Sequence, residues 1–576
     1  MMKMYAYLKH TWWQALLAMT ALFLRVMADL SLPDYMMRII DQGIYMKDLN
    51  MVISIGKDML MVSILVVLLF FTSNFLASYI GASAGNRIRK DIFNKIESFS
   101  LVEFDRFSTA SLITRSTNDV QQVQHILTMS FRILLAAPVT GVVALVKAIE
   151  LTPSLSWIFI VIFPILSVAV ILIMTMTSPR FEKVQKLTDK LNLIARESLS
   201  GIRVVRAFNA QKTQAHKFQT VNDSVYSNNV TLMRIMSLMD PVIMICLSFT
   251  TILILWTAAD KINEGVMQIG QMMAFMQYTA QVMASFINLT MIFQMFPRAL
   301  VSARRIREIL DTQPVIVDPQ IPTAFDLSKK GEIVFDRVSF RYPHANEDVL
   351  HDISFTAKSG SVTAFIGSTG SGKSTLINLI PRLYDVSSGS IKLEGVDLRQ
   401  VAQKELRDKI GYIPQKGMLL SGTIEDNLLF GSPDASQEVL LKAAETAQAA
   451  KFISEKEDQY HFKLAQNATN LSGGQKQRLS IARALVKEAS FYIFDDSFSA
   501  LDFKTDAALR KALHKEVGNS TLFIVGQRVS TIMHADQIIV LEQGRISGIG
   551  KHHDLLKTCP VYFEIASSQL SQEEMI

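Results

Sequence analysis

The chain has 576 residues, more than one ordinary domain holds, so two or more folded units are expected. Hydrophobic residues make up 49% and charged residues 19%, with a formal net charge of +6 whose placement matters more than its size. Its basic residues flank apolar runs and form no stripe with aromatics, which excludes nucleic acid as the main partner, and two cysteines, Cys246 and Cys559, exclude a disulfide framework.

Taken in chain order, six apolar runs are long enough to cross the roughly 30 Å hydrocarbon core of a bilayer. They lie near 12–40, 52–82, 127–150, 155–178, 239–260 and 268–297. The first lacks a short apolar core followed by a small-residue cleavage site, so it reads as a retained span. Segment 81–132 carries Arg87, Arg89, Lys90, Lys95, Arg106, Arg115 and Arg132, whereas 41–51 and 259–267 carry only Lys47 and Lys261. The positive-inside tendency therefore places both termini and the two long connections in the cytoplasm of a multi-pass plasma-membrane protein. Those connections are themselves helical: Val184, Leu187, Leu191, Ile194 and Leu199 recur at helical spacing among charges. They are expected to turn back near Leu101–Phe107 and Ala207–His216, where short helices would dock on a cytoplasmic domain.

Within the spans, Gln277, Gln281, Ser285 and Asn288 share one face of the sixth, near Tyr278 and Gln271. They should face other helices or a water-accessible cavity, because polar groups in hydrocarbon are costly. Arg25 and Asp29 stand four apart and can pair on one face. The 28 methionines, many between Met233 and Met295, supply flexible apolar surface. Cys246 reads as apolar filler and Cys559 as a surface thiol.

Residues 1–310 are thus expected to form the membrane domain and 311–331, with Pro314, Pro319, Pro322 and Gly331, a linker. In 332–576 strand-like runs (Ile333–Phe340, Val362–Ile366, Phe491–Phe494, Thr521–Val525, Gln537–Leu541) alternate with helical stretches, the pattern of an α/β nucleotide-binding fold.

The chemistry concentrates there. Gly367, Ser368, Thr369, Gly370, Ser371, Gly372, Lys373 and Ser374 fit the phosphate-loop pattern directly after a strand, and Thr375 opens the helix that follows. Backbone N–H groups of such a loop point at phosphate oxygens, Lys373 reaches the outer phosphates, and the Ser374 hydroxyl can ligate Mg2+. Asp495 ends a four-residue apolar run at the edge where open α/β sheets bind ligands, and is assigned to Mg2+ together with Gln415. Tyr342 can stack on adenine. Ser472, Gly473, Gly474 and Gln475, after Leu471, form a second anion cradle that a head-to-tail partner's ATP would fill.

Together, the phosphate loop, Gln415, the Leu-Ser-Gly-Gly-Gln run, Asp495 and Ser499-Ala-Leu-Asp502 resemble the ATPase domain of ABC transporters. With six fused spans, the whole chain resembles an ABC exporter half-transporter. The resemblance implies two such halves, two ATP sites at their interface, coupling helices at the two turn-backs, and ATP-driven alternating access.

Three departures stand out against that family. Asp496 occupies the position of the catalytic glutamate and reaches about 1.5 Å less; a misplacement of about 1 Å can cost roughly a hundredfold in rate. Gln527 stands where the family has a switch histidine, and Gln466 lies where exporters show a glutamate-containing run. This site is therefore expected to bind ATP well and hydrolyse it slowly, while its intact signature serves a competent site on a non-identical partner half. Such asymmetry resembles bacterial heterodimeric multidrug exporters, implying amphipathic substrates. The alternative is a regulatory ATP-binding half of a lipid or peptide exporter.

Overall fold

The structure, a computed structural model, describes residues 6–343 and 345–570, without the side chains of 291–294, 297 and 327. Residues 571–576, the end of the expected ATP-binding domain, lie outside the described residues, as do the side chains of Met291 to Gln294 near the end of the sixth expected span. The chain divides into two compact units. One comprises residues 1–96 and 110–312, the other residues 97–109 and 313–576.

The first unit is all helical. Among the described residues, five helical stretches are long and apolar enough to cross a membrane: Ala6–Ile44, Leu49–Glu97, Thr109–Leu151, Pro153–Ser200 and Gln211–Asn263. The sixth expected span falls in the continuous helix Ile269–Asp311. Most of these helices run well past the hydrocarbon thickness, as polar periodicity after the apolar runs requires; 44 residues of helix, Trp157–Ser200, extend to roughly 66 Å. Close packing is written in small residues. A Cβ on Gly81 would sit 2.0 Å from Thr128 Oγ1, so a larger side chain would push two helices apart. The bundle core gathers Leu30, Leu155, Ile158, Phe275 and Tyr278, all with essentially no exposure.

Buried ionisable groups tie this unit together at places the sequence did not reveal. Tyr278 donates to Asp34 Oδ1 at 2.6 Å and lies 3.0 Å from the Leu30 carbonyl, while Lys147 pairs with Asp34 at 2.5 Å. The buried Asp41 accepts the Gly270 N–H at 2.7 Å, placing a carboxylate at the N-terminus of the sixth long helix where the helix dipole favours it. Arg25, expected to pair with Asp29, lies 4.7 Å over the Phe70 ring, and its charge is shared between that ring's negative face and the Asp29 carboxylate.

The second unit carries a six-stranded sheet in the order Arg545–Gly550, Gln537–Glu542, Val362–Gly367, Thr521–Val525, Phe491–Asp495, Ile410–Ile413. All neighbours but the first pair are parallel. Phe491–Asp495 is buried throughout, as a central parallel strand covered on both faces must be, which is why it reads as an unbroken apolar run. A second sheet pairs Ile333–Phe340 antiparallel with both Leu350–Ala357 and Ser388–Leu393. Cys559 is not at the surface: it is 2% exposed and packs against Gly548, because the two helices on either side of it, His552–Thr558 and Pro560–Ser567, fold back onto the sheet core.

The short helix Leu101–Phe107 belongs to this second unit. Glu103 closes its N-terminus with a capping box to Ser100 and also accepts the Val315 N–H at 3.0 Å. Asp105 accepts from Tyr384 at 3.0 Å, and Val102 packs on the apolar core beneath. By contrast Ile202–Ala207, at the other turn-back, buries none of its residues and leaves the following Phe208 80% exposed. The linker is pinned through the fully buried Glu394, which accepts the Gly331 N–H and pairs with Lys409 at 2.9 Å.

Candidate active site

Strand register builds the site. Val525 pairs with both Phe365 and Asp495, so three parallel strands end level and deliver Gly367, Asp496 and Gln527 to one sheet edge. At the first of these ends the chain must turn sharply. Gly370 and Gly372 take φ of +85° and +94°, open to glycine without strain, and a Cβ on Gly370 would meet nothing within 4 Å. Open space beside a glycine turn is what such a loop needs if its backbone N–H groups are to take a phosphate group. Lys373 is 9% exposed and its Nζ donates to the Gly367 and Ser368 carbonyls at 2.8 and 2.7 Å, folding over its own loop. Burial pushes its pKa down, while Asp496 and Asp495 oppose that shift.

Ser374 Oγ donates to Asp495 Oδ1 at 3.0 Å. A hydroxyl and a carboxylate so placed are oxygen donors of the kind Mg2+ prefers, while the amide of Gln415 bonds the neighbouring Asp496 through its Nε2. These residues fit Mg2+, and they are the ones that would hold it. Burial raises the Asp495 pKa, with Asp496 adding to the rise and Ser374 and Lys373 opposing it.

Asp496 is the centre of the edge. Its Oδ2 accepts from Gln527 Nε2 at 2.9 Å and from Gln415 Nε2 at 3.2 Å. Two neutral amides thus occupy one carboxylate oxygen. The backbone at Asp496 is left-handed, φ +46°, a conformation aspartate tolerates better than longer side chains do. Burial raises its pKa as well, against hydrogen bonds from Gln415 and Ser499 and the charges of Lys373 and Arg528. Arg528 itself stacks 5.2 Å over Phe503.

Tyr342 is half-buried, edge-on to Phe340 and Tyr384, with its hydroxyl 3.0 Å from Thr375 Oγ1. Its ring is thus held next to the phosphate loop by Thr375, the third residue of a helix that opens at Lys373 and not, as the sequence suggested, at Thr375 itself. The second cradle stands on a different helix. Ser472 caps Gly473–Leu485 through a reciprocal pair, Gln475 N–H to Ser472 Oγ at 3.3 Å and Ser472 N–H to Gln475 Oε1 at 3.0 Å. A Cβ on Gly473 would meet nothing within 4 Å, so that face is open. Among the described residues no hydrogen bond joins 472–475 to 367–374. The two groups of anion-binding residues are therefore built separately within one chain. Asp502 caps the helix Phe503–Glu516 just beyond the strand Phe491–Asp495. Gln466 begins a tight turn in which Asn467 and Ala468 take positive φ, and the Asn467 carbonyl accepts from Lys476 at 2.9 Å.

The membrane polar face resolves into two sets. Tyr278, Gln271 and Ser285 serve the protein itself: Gln271 caps the Gln268 N–H, and Ser285 bonds the Gln281 carbonyl and abuts Gly141. Gln277, Gln281 and Asn288 carry no side-chain hydrogen bond to other described residues and lie half-buried or exposed.

Comparison with known proteins agrees with both units. The family model described as ABC transporter transmembrane region matches residues 15–286, and the one described as ABC transporter matches residues 350–499. An uncharacterized ABC transporter ATP-binding protein of Mycobacterium tuberculosis is 38% identical over 94% of each chain, and another, of Bacillus subtilis, is 34% identical over 100% of this chain and 99% of its own. A further Bacillus subtilis relative, named a probable multidrug resistance ABC transporter ATP-binding/permease protein, is 32% identical over 81% of this chain and 80% of its own. The solved structure of a bacterial Atm1-family ABC exporter with ATP bound superposes with a TM-score of 0.80 over 98% of this chain and 99% of that one, at 23% identity, a likeness of fold. The chain is a multi-pass membrane protein that belongs to the ABC transporters, an exporter-type half-transporter with its transmembrane region and ATP-hydrolysing domain fused in one polypeptide.

Proposed function

We propose that this chain is the impaired-site half of a heterodimeric exporter that uses ATP to move amphipathic or hydrophobic compounds outward across the plasma membrane. The carrying observation is the engagement of Asp496. A carboxylate that must polarise water needs reach, and this one is short and stands on a left-handed backbone, with Gln415 and Gln527 both bonded to its Oδ2 and only Oδ1 left for water. Gln527 also lacks the titratable ring that could share a proton or carry positive charge. ATP binding through Gly367 to Thr375, with Mg2+ at Ser374, Gln415 and Asp495, keeps every group it needs. The capped signature, Ser472 to Gln475, is complete and would close the ATP site of a non-identical partner.

The unpartnered Gln277, Gln281 and Asn288 support a polar strip along an otherwise apolar pathway, suited to molecules with both characters. The name of the 32% identical relative supports the multidrug class. Placement of Lys and Arg supports cytoplasmic termini, and the exposed Phe208 supports a second turn-back helix that meets the partner.

Purification of the chain alone and with the subunit that co-purifies from its source tests the reading. Negligible ATPase from the first preparation and substrate-stimulated turnover from the second are expected. Rapid turnover by a pure homodimer sinks it.

A further inference from the structure

The end of the described chain reaches the sheet edge around Asp496 and Gln527. Gln569 follows the helix Pro560–Ser567, and its side chain makes two hydrogen bonds: Nε2 donates to the Gln527 carbonyl at 2.9 Å, and Oε1 accepts from the Val529 N–H at 2.8 Å. An amide side chain here pairs with the backbone on both sides of Arg528 as a neighbouring strand would. Only asparagine and glutamine offer a donor and an acceptor in that fixed geometry, and the longer one spans the gap.

The clamp has a firm base. Tyr562 and Ala566 on the same helix are fully buried in the sheet's core together with Val529 and Ile532, and Leu570 packs against that cluster. Tyr562 is held in turn by His552, Nδ1 to hydroxyl 2.7 Å. On its other side the clamp acts where Gln527 turns its side chain to Asp496 Oδ2 at 2.9 Å. Val529 begins the short helix Val529–Ile532, so the segment between strand and helix has no ladder of its own to fix it.

We propose that Gln569 is a positioning residue for this ATP site: it sets the backbone of 527–529 so that the Gln527 amide meets Asp496, making the C-terminal helix a determinant of the site's chemistry. This rests on the reading of Asp496 and Gln527 as the groups that act on ATP. A residue 73 positions from Asp496 thereby enters the site without touching nucleotide.

The test uses the full-length chain with two readouts: hydrogen exchange at the Val529 amide, and the slow single-turnover ATP hydrolysis of this site followed over hours under excess protein, with nucleotide Kd measured alongside. Gln569→Ala should speed Val529 exchange about tenfold and lower the single-turnover rate about three- to tenfold, with Kd for ATP within about twofold. Gln569→Glu keeps the acceptor and loses the donor, so it should protect Val529 yet still slow hydrolysis. Asp496→Asn is run in parallel. Unchanged exchange in Gln569→Ala, or altered exchange with an unaltered rate, overturns the positioning role if Asp496→Asn does slow hydrolysis. If Asp496→Asn has no effect either, the reading of the site fails first and the role of Gln569 falls with it.

Discussion

The phosphate loop and the sheet edge around Asp496 and Gln527 sit on adjoining strands yet are built from different material. The loop is backbone, positive-φ glycines beside open space, with one lysine folded over it. The edge is side chain: one carboxylate, two amides and a glutamine from the chain's end. Backbone cradles survive most sequence change outside their glycines, whereas an edge made of side chains alters its chemistry with a single methylene. A chain can therefore keep nucleotide affinity while its hydrolytic power drifts, and these two regions should respond separately to mutation.

The largest expected effect probes the loop. Lys373→Ala removes a cation from the phosphate-binding space, and nucleotide Kd should rise about thirtyfold, on the order of 2 kcal/mol, by equilibrium binding to the purified chain. The edge should behave oppositely. Asp496→Glu with Gln527→His should leave Kd nearly unchanged and raise single-turnover hydrolysis roughly ten- to hundredfold. The gain is held below the upper end because glutamate must accept the left-handed backbone at 496. Equal changes in affinity and rate from either substitution would dissolve the contrast.

Ser472→Ala sharpens it from a third direction. Losing the cap should cost about 1 kcal/mol of local helix stability, and turnover of the complete transporter should fall while ATP affinity of this chain stays constant. In the membrane unit, Tyr278→Phe leaves Asp34 with Lys147 alone and should cost about 1 kcal/mol in thermal unfolding in detergent.

The smallest effect is a pH slope. Burial, with His553 and His534 adding to it, lowers the His552 pKa, so the unfolded chain binds this proton more readily than the folded one. Stability from this group is present above the ordinary histidine value of about 6.5 and is lost as pH falls from there through the depressed folded pKa. Asp495 and Asp496, both raised, change stability in the other direction at acid pH. The comparison is therefore between the native chain and His552→Gln: the variant's melting temperature should fall less between pH 7 and pH 5.5.

How much of this was legible follows from the range of each contact. Strands such as Phe491–Asp495 and Val362–Gly367 announce themselves by unbroken apolar runs, and the two loops by fixed local spacing. Ser388–Leu393, with a glycine inside it, and Leu350–Ala357, with alternating polar residues, carry no comparable run and went unseen. The Asp34–Lys147–Tyr278 cluster joins residues 113 and 244 positions apart, and the Gln569 clamp joins residues 42 apart. Nothing local marks a residue whose partner is set by tertiary packing. Arg25 shows the same limit: helical spacing put Asp29 within reach of its charge but gave no sign of the Phe70 ring, 4.7 Å away on another helix.

Glu103 has a mechanical consequence. One of its carboxylate oxygens caps its own short helix and the other holds the main chain at Val315, which resumes 212 residues later. The two strands of polypeptide entering the ATPase unit are thus yoked at a single buried acid. A torque generated by nucleotide closure would reach both together, and an uncharged replacement there would let one slip against the other, uncoupling fuel from stroke without touching either the fuel site or the cargo path.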